Sequence, residues 1–561
     1  MSPVDETGHG THVSGIAAGT PVNDANLLGQ ARGTATGMAP RAHIASYKTC
    51  SPSSCKDSNS IKGFDQAIID GVDLVQISLG KPHGEFHSNG VVIGSYAALS
   101  HGILTVNSAG NDGPTKSILD NDVPWILHVG AANIDRSVTA VLKLGNGMEF
   151  LGMSAYQPDP SNVANLPLAY PGLKGDQDKL HCKEGSLDDE DLAGKIVICR
   201  QGLISGIWKA KIVKKAGGAG MILLNTPSEG FTLPAVPYDI PAVLVSYNDA
   251  EKILDYFSID KNPTGTISFR GTEYEFRPSP TVASLSSRGP SLRNGGILKP
   301  DVIAPGVNIL SAYNVQVGPD NTTTNRRVYA KKRWFVMNTG TSMAAPHVSG
   351  VAALLKKAHP DWSPASIKSA VMTTAKTLDR DGGPITDDAS DSRKPADVFA
   401  IGAGHIDPSA ANDPGLVYNA SAEDYIPYLC GLKGYTSKEV KIIVNRPLNC
   451  KEKQAAEELN YPAIQVHLGA TGAAMKTVKR TVTNVGEATS TYTATVVEPS
   501  GVKVEVKPKT LQFKSIGEEQ SFVVELSLTA KKPSEKDKVM EGRLKWVSGK
   551  REVSSPIAVV T

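Results

Sequence analysis

Residues 338–350 read Asn338-Thr339-Gly340-Thr341-Ser342-Met343-Ala344-Ala345-Pro346-His347-Val348-Ser349-Gly350. Small residues crowd around Ser342, and apolar residues follow it at helical spacing: Val348, Val351, Ala352, Leu354 and Leu355. The pattern predicts a serine at the N-terminus of a helix, where unpaired amides and the helix dipole favour negative charge. Such charge develops during acyl transfer. A serine in this place is more often only a helix cap, so these residues alone leave a cap and a nucleophile both open.

Two further motifs decide between these interpretations. A histidine among small residues begins another predicted helix in Gly8-His9-Gly10-Thr11-His12-Val13-Ser14-Gly15. An asparagine follows an apolar run in Val106-Asn107-Ser108-Ala109-Gly110-Asn111-Asp112-Gly113-Pro114. The three motifs, in the order histidine, asparagine, serine, resemble those of the subtilisin-like serine proteases, and most closely the plant subtilases.

The resemblance implies an activity and a set of roles. It implies a serine-type endopeptidase that hydrolyses peptide bonds through an acyl-enzyme, with Ser342 as the nucleophile. His9 would be the general base, and Asn111 would donate a hydrogen bond to the oxyanion. The family also uses two cleft segments to pair with substrate backbone, here Ser78-Leu79-Gly80 and Ser108-Ala109-Gly110. Without the resemblance, ordinary turns at strand ends would be the preferred explanation of both segments.

The third member of the family's catalytic triad is the difficulty. In the family, an aspartate at the end of an apolar strand precedes the histidine. Asp5 precedes His9 here without an apolar strand behind it, so we expect it to belong to the loop that leads into the helix. The resemblance therefore implies a chain truncated at its N-terminus before the histidine motif and lacking the aspartate strand. We expect such a chain, expressed alone, to be poorly soluble or inactive.

Two other classes of function are alternatives to the protease. A non-catalytic pseudoprotease that binds peptides or proteins is the alternative. Another α/β hydrolase would need G-x-S-x-G and the order serine, acid, histidine, which the chain does not have. His12 follows His9 by three residues without the glutamate of a zinc motif, so we expect it to be structural. His347 is expected to pack beside the nucleophile, and no metal or cofactor is expected.

Composition limits the partners. The 561 residues suggest two to four domains. A net charge of +2 and a pI of about 8.0 argue against nucleic acid or a membrane surface as a partner. The resemblance implies a peptide or protein substrate. No run of 18 apolar residues predicts a transmembrane helix. The first six residues, Met1 to Glu6, have neither the basic region nor the apolar core of a signal peptide.

The six cysteines suit an oxidising compartment. Of the 15 pairings that six cysteines allow, we favour nearest neighbours: Cys50–Cys55, Cys182–Cys199 and Cys430–Cys450. Six reduced, buried thiols are the alternative. The sequons at Asn321 and Asn419 also suit a secreted glycoprotein. We therefore expect the full-length parent to be extracellular, in the apoplast or cell wall.

Alternating helices and apolar strands predict an α/β fold with a parallel sheet flanked by helices, in which Ile44–Tyr47 and Leu74–Gly80 are strands. The resemblance implies a β-rich protease-associated domain inserted into the peptidase, contributing to substrate access or homodimer contacts. Short alternating strands near the C-terminus predict a fibronectin-III-like β-sandwich. The predicted domains are a first peptidase part at 1–148, the insert at 149–272, a second peptidase part at 273–415, a connector at 416–458 and the sandwich at 459–561.

Overall fold

The computed structural model describes residues 3–51, 54–80, 84–158, 162–314, 334–390, 392–469, 474–529 and 539–561. Asn321, one of the two predicted glycosylation sites, lies outside these ranges, whereas Asn419 is exposed. No helix within the described ranges combines the length and apolar character needed to cross a membrane.

The N-terminal part contains helices that alternate with short strands. In chain order its elements are α1 (His9–Ala18), β1 (Val22–Leu27), β2 (Gln30–Ala35), β3 (Cys50–Ser51), β4 (Ser54–Cys55), α2 (Asp57–Ile69), β5 (Leu74–Ile77), α3 (Gly90–Ser100), β6 (Leu104–Ser108) and β7 (Leu127–Ala132). The Asn89 side chain accepts hydrogen bonds from the backbone N–H groups of Val91 and Val92, which begins α3 at this point in the chain.

A closed β-barrel follows. Its elements are β8 (Arg136–Leu144), β9 (Glu149–Met153), β10 (Asn162–Ala169), α4 (Gln177–Leu180), β11 (Ile196–Arg200), α5 (Gly206–Lys215), β12 (Gly220–Leu224), β13 (Ala242–Val245), α6 (Tyr247–Ile259) and β14 (Thr264–Tyr274). The strands close in the order β10-β11-β12-β13-β9-β8-β14. The predicted boundary at 149 falls between two strands of this barrel, because β8 belongs to it. Most of β8 is buried, so its sequence lacks the alternation that marks a half-exposed strand.

The chain then returns to the central sheet. The elements of this part are β15 (Thr281–Val282), β16 (Val302–Pro305), β17 (Ile309–Ala312), β18 (Phe335–Asn338), α7 (Thr341–Ala358), α8 (Pro364–Thr373), β19 (Thr386–Asp387), α9 (Val398–Ile401) and α10 (Pro408–Ala411). Strands β5, β6, β7 and β16 pair side by side in parallel. This arrangement confirms the predicted parallel sheet, and every residue of β6 and β7 is buried, as expected when helices cover both faces.

The C-terminal part is a β-sandwich preceded by a short helical region. Its elements are β20 (Leu416–Val417), α11 (Tyr425–Gly431), α12 (Ser437–Val444), β21 (Ile464–His467), β22 (Met475–Asn484), β23 (Ser490–Val497), β24 (Val502–Lys507), β25 (Thr510–Phe513), β26 (Glu519–Leu528), β27 (Val539–Ser548) and β28 (Arg551–Val560). One sheet has the order β20-β22-β26-β24 and the other β21-β28-β27-β23-β25. The predicted sandwich is confirmed, and it also recruits β20 from the predicted connector.

The outer strand of the central sheet is β5 within the described part of the chain. All four of its residues are half-buried. The prediction of a strand at Ile44–Tyr47 is wrong, since this segment pairs with no described strand and Ile44 is 51% exposed. An apolar, β-branched segment becomes a strand only where a neighbour completes its ladder of hydrogen bonds, and sequence alone does not show that neighbour.

Three disulfides link the six cysteines: Cys50–Cys55, Cys182–Cys199 and Cys430–Cys450. The pairing of nearest neighbours is confirmed. Both cysteines of Cys182–Cys199 are fully buried, and Cys199 belongs to β11, on the face that packs against α5.

Replacing Cys182 and Cys199 together by alanine is expected to destabilise the barrel by about 3 kcal/mol, because the unfolded chain regains the freedom of the closed loop. The measurement is the urea dependence of hydrogen exchange in β11. The matched control is the Cys50→Ala/Cys55→Ala pair, whose loop spans 5 residues rather than 17. The same relation gives a loss of about 2 kcal/mol for that shorter loop, and this loss should affect hydrogen exchange around Cys50 and Cys55 rather than in β11. Unchanged exchange in the barrel variant would contradict the prediction.

Candidate active site

Ser342 is the second residue of α7, and an asparagine from the loop after β6 caps that helix. The residue before the helix, Gly340, has no side chain, so it cannot satisfy the first backbone N–H groups. Asn111 Oδ1 instead accepts hydrogen bonds from the Thr341 backbone N–H at 2.8 Å and from Thr341 Oγ1 at 2.9 Å. A backbone N–H bonds only to the oxygen of the amide, so this contact fixes the orientation of the Asn111 side chain. The amide NH₂ of Asn111 therefore remains as a donor beside the nucleophile position.

His9 is the first residue of α1, and α1 packs against α7. The two helices approach closely because position 350 is glycine: a Cβ there would lie 2.7 Å from the Ala17 carbonyl oxygen. The helices that carry His9 and Ser342 therefore pack directly against each other. Burial lowers the pKa of His9, and the negative charge of Asp5 partly opposes this effect. At neutral pH the imidazole is therefore in the uncharged form that a general base needs.

Asp5 caps α1 and does not orient His9. Its Oδ1 accepts hydrogen bonds from the backbone N–H groups of Thr7 and Gly8, and its Oδ2 accepts from the N–H and Oγ1 of Thr11. Burial opposes the ionisation of Asp5, but these hydrogen bonds outweigh it and lower its pKa to about 2. The position expected from sequence, in the loop before the helix, is the one observed. Across the described ranges, no carboxylate is hydrogen-bonded to the His9 ring.

Both predicted cleft segments reach the start of α7. Ser78 Oγ donates a hydrogen bond to the Ser342 carbonyl oxygen at 3.1 Å. Thr341 Oγ1 donates to the Gly110 carbonyl at 3.1 Å. The Leu79 carbonyl accepts from the side-chain amide of Asn121 at 3.0 Å, which holds the first segment in place. The segments Ser78–Gly80 and Ser108–Gly110 therefore follow neighbouring parallel strands and converge on the same helix terminus.

The other two histidines near the site are held by carbonyl groups. His12 Nε2 lies 3.1 Å from the carbonyl oxygens of both Ile309 and Val336. Burial lowers the pKa of His12 to about 4, although both contacts favour the charged form. His347 Nδ1 lies 2.8 Å from the Met343 carbonyl, one turn back on α7. Within the described part of the chain, no group of three or more His, Cys, Asp or Glu side chains is placed to hold a metal ion.

Sequence reasoning missed two residues of this region. Thr341, which ties both Asn111 and Gly110 to the helix, looked like any small residue of the serine motif. Asp120 lies between the two cleft segments and is only 8% exposed. Its spacing from Asn111 matches no motif, so only the folded arrangement of the strands reveals it.

Comparisons with known proteins agree with the fold described above. The sequence profile of the subtilase family matches residues 2–404, which is more than half of the chain. The chain belongs to the subtilase family. A profile described as a fibronectin type-III domain matches residues 458–559 of this subtilase, in agreement with the observed sandwich.

Two Arabidopsis thaliana relatives illustrate the similarity. This subtilase is 43% identical to subtilisin-like protease SBT1.7 over 562 residues, which cover 100% of this chain and 73% of the relative. It is 42% identical to subtilisin-like protease SBT1.5 over 576 residues, with the same coverage. Its family is that of the subtilisin-like serine proteases. Among solved structures, the psychrophilic subtilisin-like protease Apa1 from the Antarctic psychrotroph Pseudoalteromonas sp. AS-11 is 18% identical with a TM-score of 0.34, covering 74% of this chain and 85% of that one. That similarity is too low to support an argument.

Proposed function

We propose that this subtilase is an endopeptidase whose nucleophile is Ser342, with His9 as general base and Asn111 as oxyanion donor. The observation that carries the proposal is the fixed orientation of Asn111: its oxygen is bonded to the Thr341 N–H, which leaves its NH₂ group to face developing negative charge. The names of the Arabidopsis relatives, subtilisin-like proteases, support the same reaction class.

The roles follow from the chemistry of amide hydrolysis. The Ser342 hydroxyl is a weak nucleophile until a base removes its proton, and neutral His9 on the adjacent helix is that base. The carbonyl oxygen of the substrate becomes an oxyanion, which accepts a hydrogen bond from Asn111. His9 then gives its proton to the leaving amine, and water hydrolyses the acyl-enzyme by the reverse sequence. Backbone of the peptide substrate pairs with Ser78–Gly80 and Ser108–Gly110.

The chain described here works at a reduced rate. Asp5 is bound to backbone N–H groups and does not hold the His9 ring, so nothing in the described ranges orients the imidazole or stabilises its charged form. Removal of the orienting carboxylate lowers kcat by about 3 × 10⁴ in a related enzyme. Poor solubility is expected on separate grounds, because the half-buried residues of β5 lie at the outer edge of the sheet.

A fluorophosphonate probe tests the nucleophile without requiring turnover. We expect the probe to label the wild-type chain at Ser342, located by mass spectrometry of the modified peptide, and Ser342→Ala to abolish the labelling. The matched control is Ser349→Ala, which removes a buried serine from the same helix and should leave labelling intact. Absence of labelling from folded wild-type protein would refute the proposal. Retained peptide binding by that same protein would favour the pseudoprotease, which is the second candidate because no carboxylate among the described residues is hydrogen-bonded to the His9 ring.

The remaining assignments concern location and assembly. Three disulfides support an extracellular parent protein, since such bonds persist in oxidising compartments. Asn419, which is exposed, is the described candidate for glycosylation. The barrel is assigned as a protease-associated domain. We propose that it supplies homodimer contacts, and two exposed apolar side chains on it, Leu203 at 68% and Trp208 at 58%, support this role.

A further inference from the structure

A buried carboxyl group lies in the loop between β6 and β7. Asp120 is 8% exposed. Its backbone N–H donates to the Ala109 carbonyl at 3.1 Å, and its own carbonyl accepts a hydrogen bond from the His128 ring. The main chain at Asp120 is therefore held from both sides, and its side chain has a defined position.

The Asp120 side chain fills the space between the ends of the two cleft segments. A Cβ atom at Gly80 would lie 2.0 Å from Asp120 Oδ2, and one at Gly110 would lie 3.0 Å from the same oxygen. Any side chain at position 80 would displace the carboxyl group. The last residues of Ser78–Gly80 and Ser108–Gly110 are thus separated by this carboxyl group, whose Oδ2 faces both glycines.

The carboxyl group lies within reach of a substrate side chain at the nucleophile. Ser78 contacts the Ser342 carbonyl, and Gly80, two residues further on, contacts Asp120. Two residues of extended chain span about 7 Å. A substrate held between the segments with its reacting carbonyl at Ser342 can reach this carboxyl group with a long side chain but not with a short one.

The carboxyl group lacks the partner that a buried charge requires. Asp120 Oδ1 is buried and has no hydrogen-bond partner among the described residues. The nearby cation, Arg293, is bound to Asp122 at 2.5 Å and to the carbonyls of Gly84 and Leu119. Burial, together with the negative charges of Asp112 and Asp122, raises the pKa of Asp120 to about 7, and Arg293 opposes this only in part. A cationic donor that entered from the cleft would supply the missing contact and favour the ionised form.

We propose that Asp120 is a specificity residue that selects substrates with lysine or arginine on the acyl side of the scissile bond. This inference rests on the proposed role of Ser342. The ammonium or guanidinium group would enter from the cleft beside Gly80 and Gly110 and donate to the carboxylate of Asp120, whose Oδ2 faces these glycines and whose Oδ1 has no partner among the described residues. An apolar side chain in the same place would leave the carboxylate without that donor.

Two peptidyl phosphonates that differ only at this residue test the inference. One carries lysine and the other norleucine, an apolar side chain of similar length, and mass spectrometry follows their reaction with Ser342. At about pH 8 the lysine probe is expected to react at least about tenfold faster. At about pH 6 the ratio should approach one, because protonation of Asp120 removes the attraction. Asp120→Asn should abolish the preference at about pH 8 while leaving the norleucine rate within about twofold.

The control is Asp112→Asn, which removes an exposed carboxylate from the same loop and should retain the preference for lysine. A failure of a small fluorophosphonate to label Ser342 would overturn both the proposed function and this inference. Normal fluorophosphonate labelling with a lysine-to-norleucine ratio unaffected by Asp120→Asn would overturn the inference alone. Equal slowing of both probes would show a structural role and overturn it as well. If Asp120→Asn does not fold, the wild-type protein provides the test: a lysine-to-norleucine rate ratio that stays constant between about pH 6 and 8 would also overturn the inference.

Discussion

Replacing Asp301 with alanine is expected to lower the free energy of unfolding of the peptidase domain by about 3–5 kcal/mol, because it leaves a buried lysine without its counter-charge. The side chains of Asp301 and Lys299 are both fully buried, and Lys299 Nζ lies 2.7 Å from Asp301 Oδ2. The same oxygen accepts a hydrogen bond from the His128 backbone N–H at 2.8 Å, and Tyr461 donates its hydroxyl to Asp301 Oδ1. Asp301 therefore has its acceptor sites occupied from three directions.

A second buried amine increases the effect. Burial lowers the pKa of Lys368 to about 7, an effect that Asp301 opposes and Lys299 reinforces. Loss of Asp301 removes the attraction that keeps either lysine charged. Because the folded-state pKa of both lysines lies below the unfolded value, the unfolded chain binds more protons, and stability rises with pH. The destabilisation should therefore be smaller at about pH 9 than at about pH 7.

Urea unfolding monitored by circular dichroism at both pH values measures this effect. The comparison variant is Asp301→Leu combined with Lys299→Met, which removes both charges of this ion pair and should recover the part of the loss that Lys299 causes, since an apolar pair does not need a counter-charge. A double variant as unstable as Asp301→Ala would contradict the explanation from unpaired charge. It would point instead to the hydrogen bonds from His128 and Tyr461 as the main contribution.

Changing Asn111 to aspartate is expected to slow the reaction of Ser342 with a fluorophosphonate by about 10²–10³. The aspartate keeps an oxygen that accepts from the Thr341 N–H, so the cap of α7 survives. It replaces the NH₂ donor with a carboxylate, which repels the negative charge on the reacting phosphoryl oxygen as it would repel an oxyanion. The second-order rate constant of labelling measures the effect, and thermal unfolding checks that the helix remains capped.

Two controls separate the donor from the cap. Asn111→Ala removes both, so it should slow labelling similarly and also lower the melting temperature by the equivalent of about 1 kcal/mol. Thr341→Val removes the Oγ1 contacts to Asn111 and Gly110 but leaves the backbone N–H, and it should slow labelling less than about tenfold. A labelling rate for Asn111→Asp equal to that of the wild type would remove Asn111 from the site.

Much of the fold could be predicted because its periodicities are local. Apolar strands between helices predicted the parallel neighbours β5 and β6, and alternation predicted the sandwich strands β24 and β26. The serine and histidine motifs predicted which helices begin the site, since a helix start is visible in a few adjacent residues. The cysteine pairs were predictable for the same reason, because each partner lies at most 20 residues away.

The features that the sequence did not predict depend on contacts between residues that are far apart in the chain. Asp120 lies in a loop whose residues carry no pattern, and its burial follows from the places where β5 and β6 end. Asp301 is conspicuous as a carboxylate in apolar surroundings, yet its partner Tyr461 lies 160 residues away. The prediction of a strand at Ile44–Tyr47 was wrong because a strand depends on a neighbouring strand that its own sequence does not specify.

The pairing of β20 with β22 bears on how this subtilase can be dissected. β20 precedes the region matched by the fibronectin profile, yet it forms the outer strand of one sandwich sheet. Tyr461, inside that region, donates to a carboxylate buried in the peptidase. A deletion that begins at residue 458 would therefore remove the partner of β20 and one donor to Asp301 in the same cut. The two profiles match separate stretches of the chain, whereas these contacts make the two regions a single cooperative unit in unfolding.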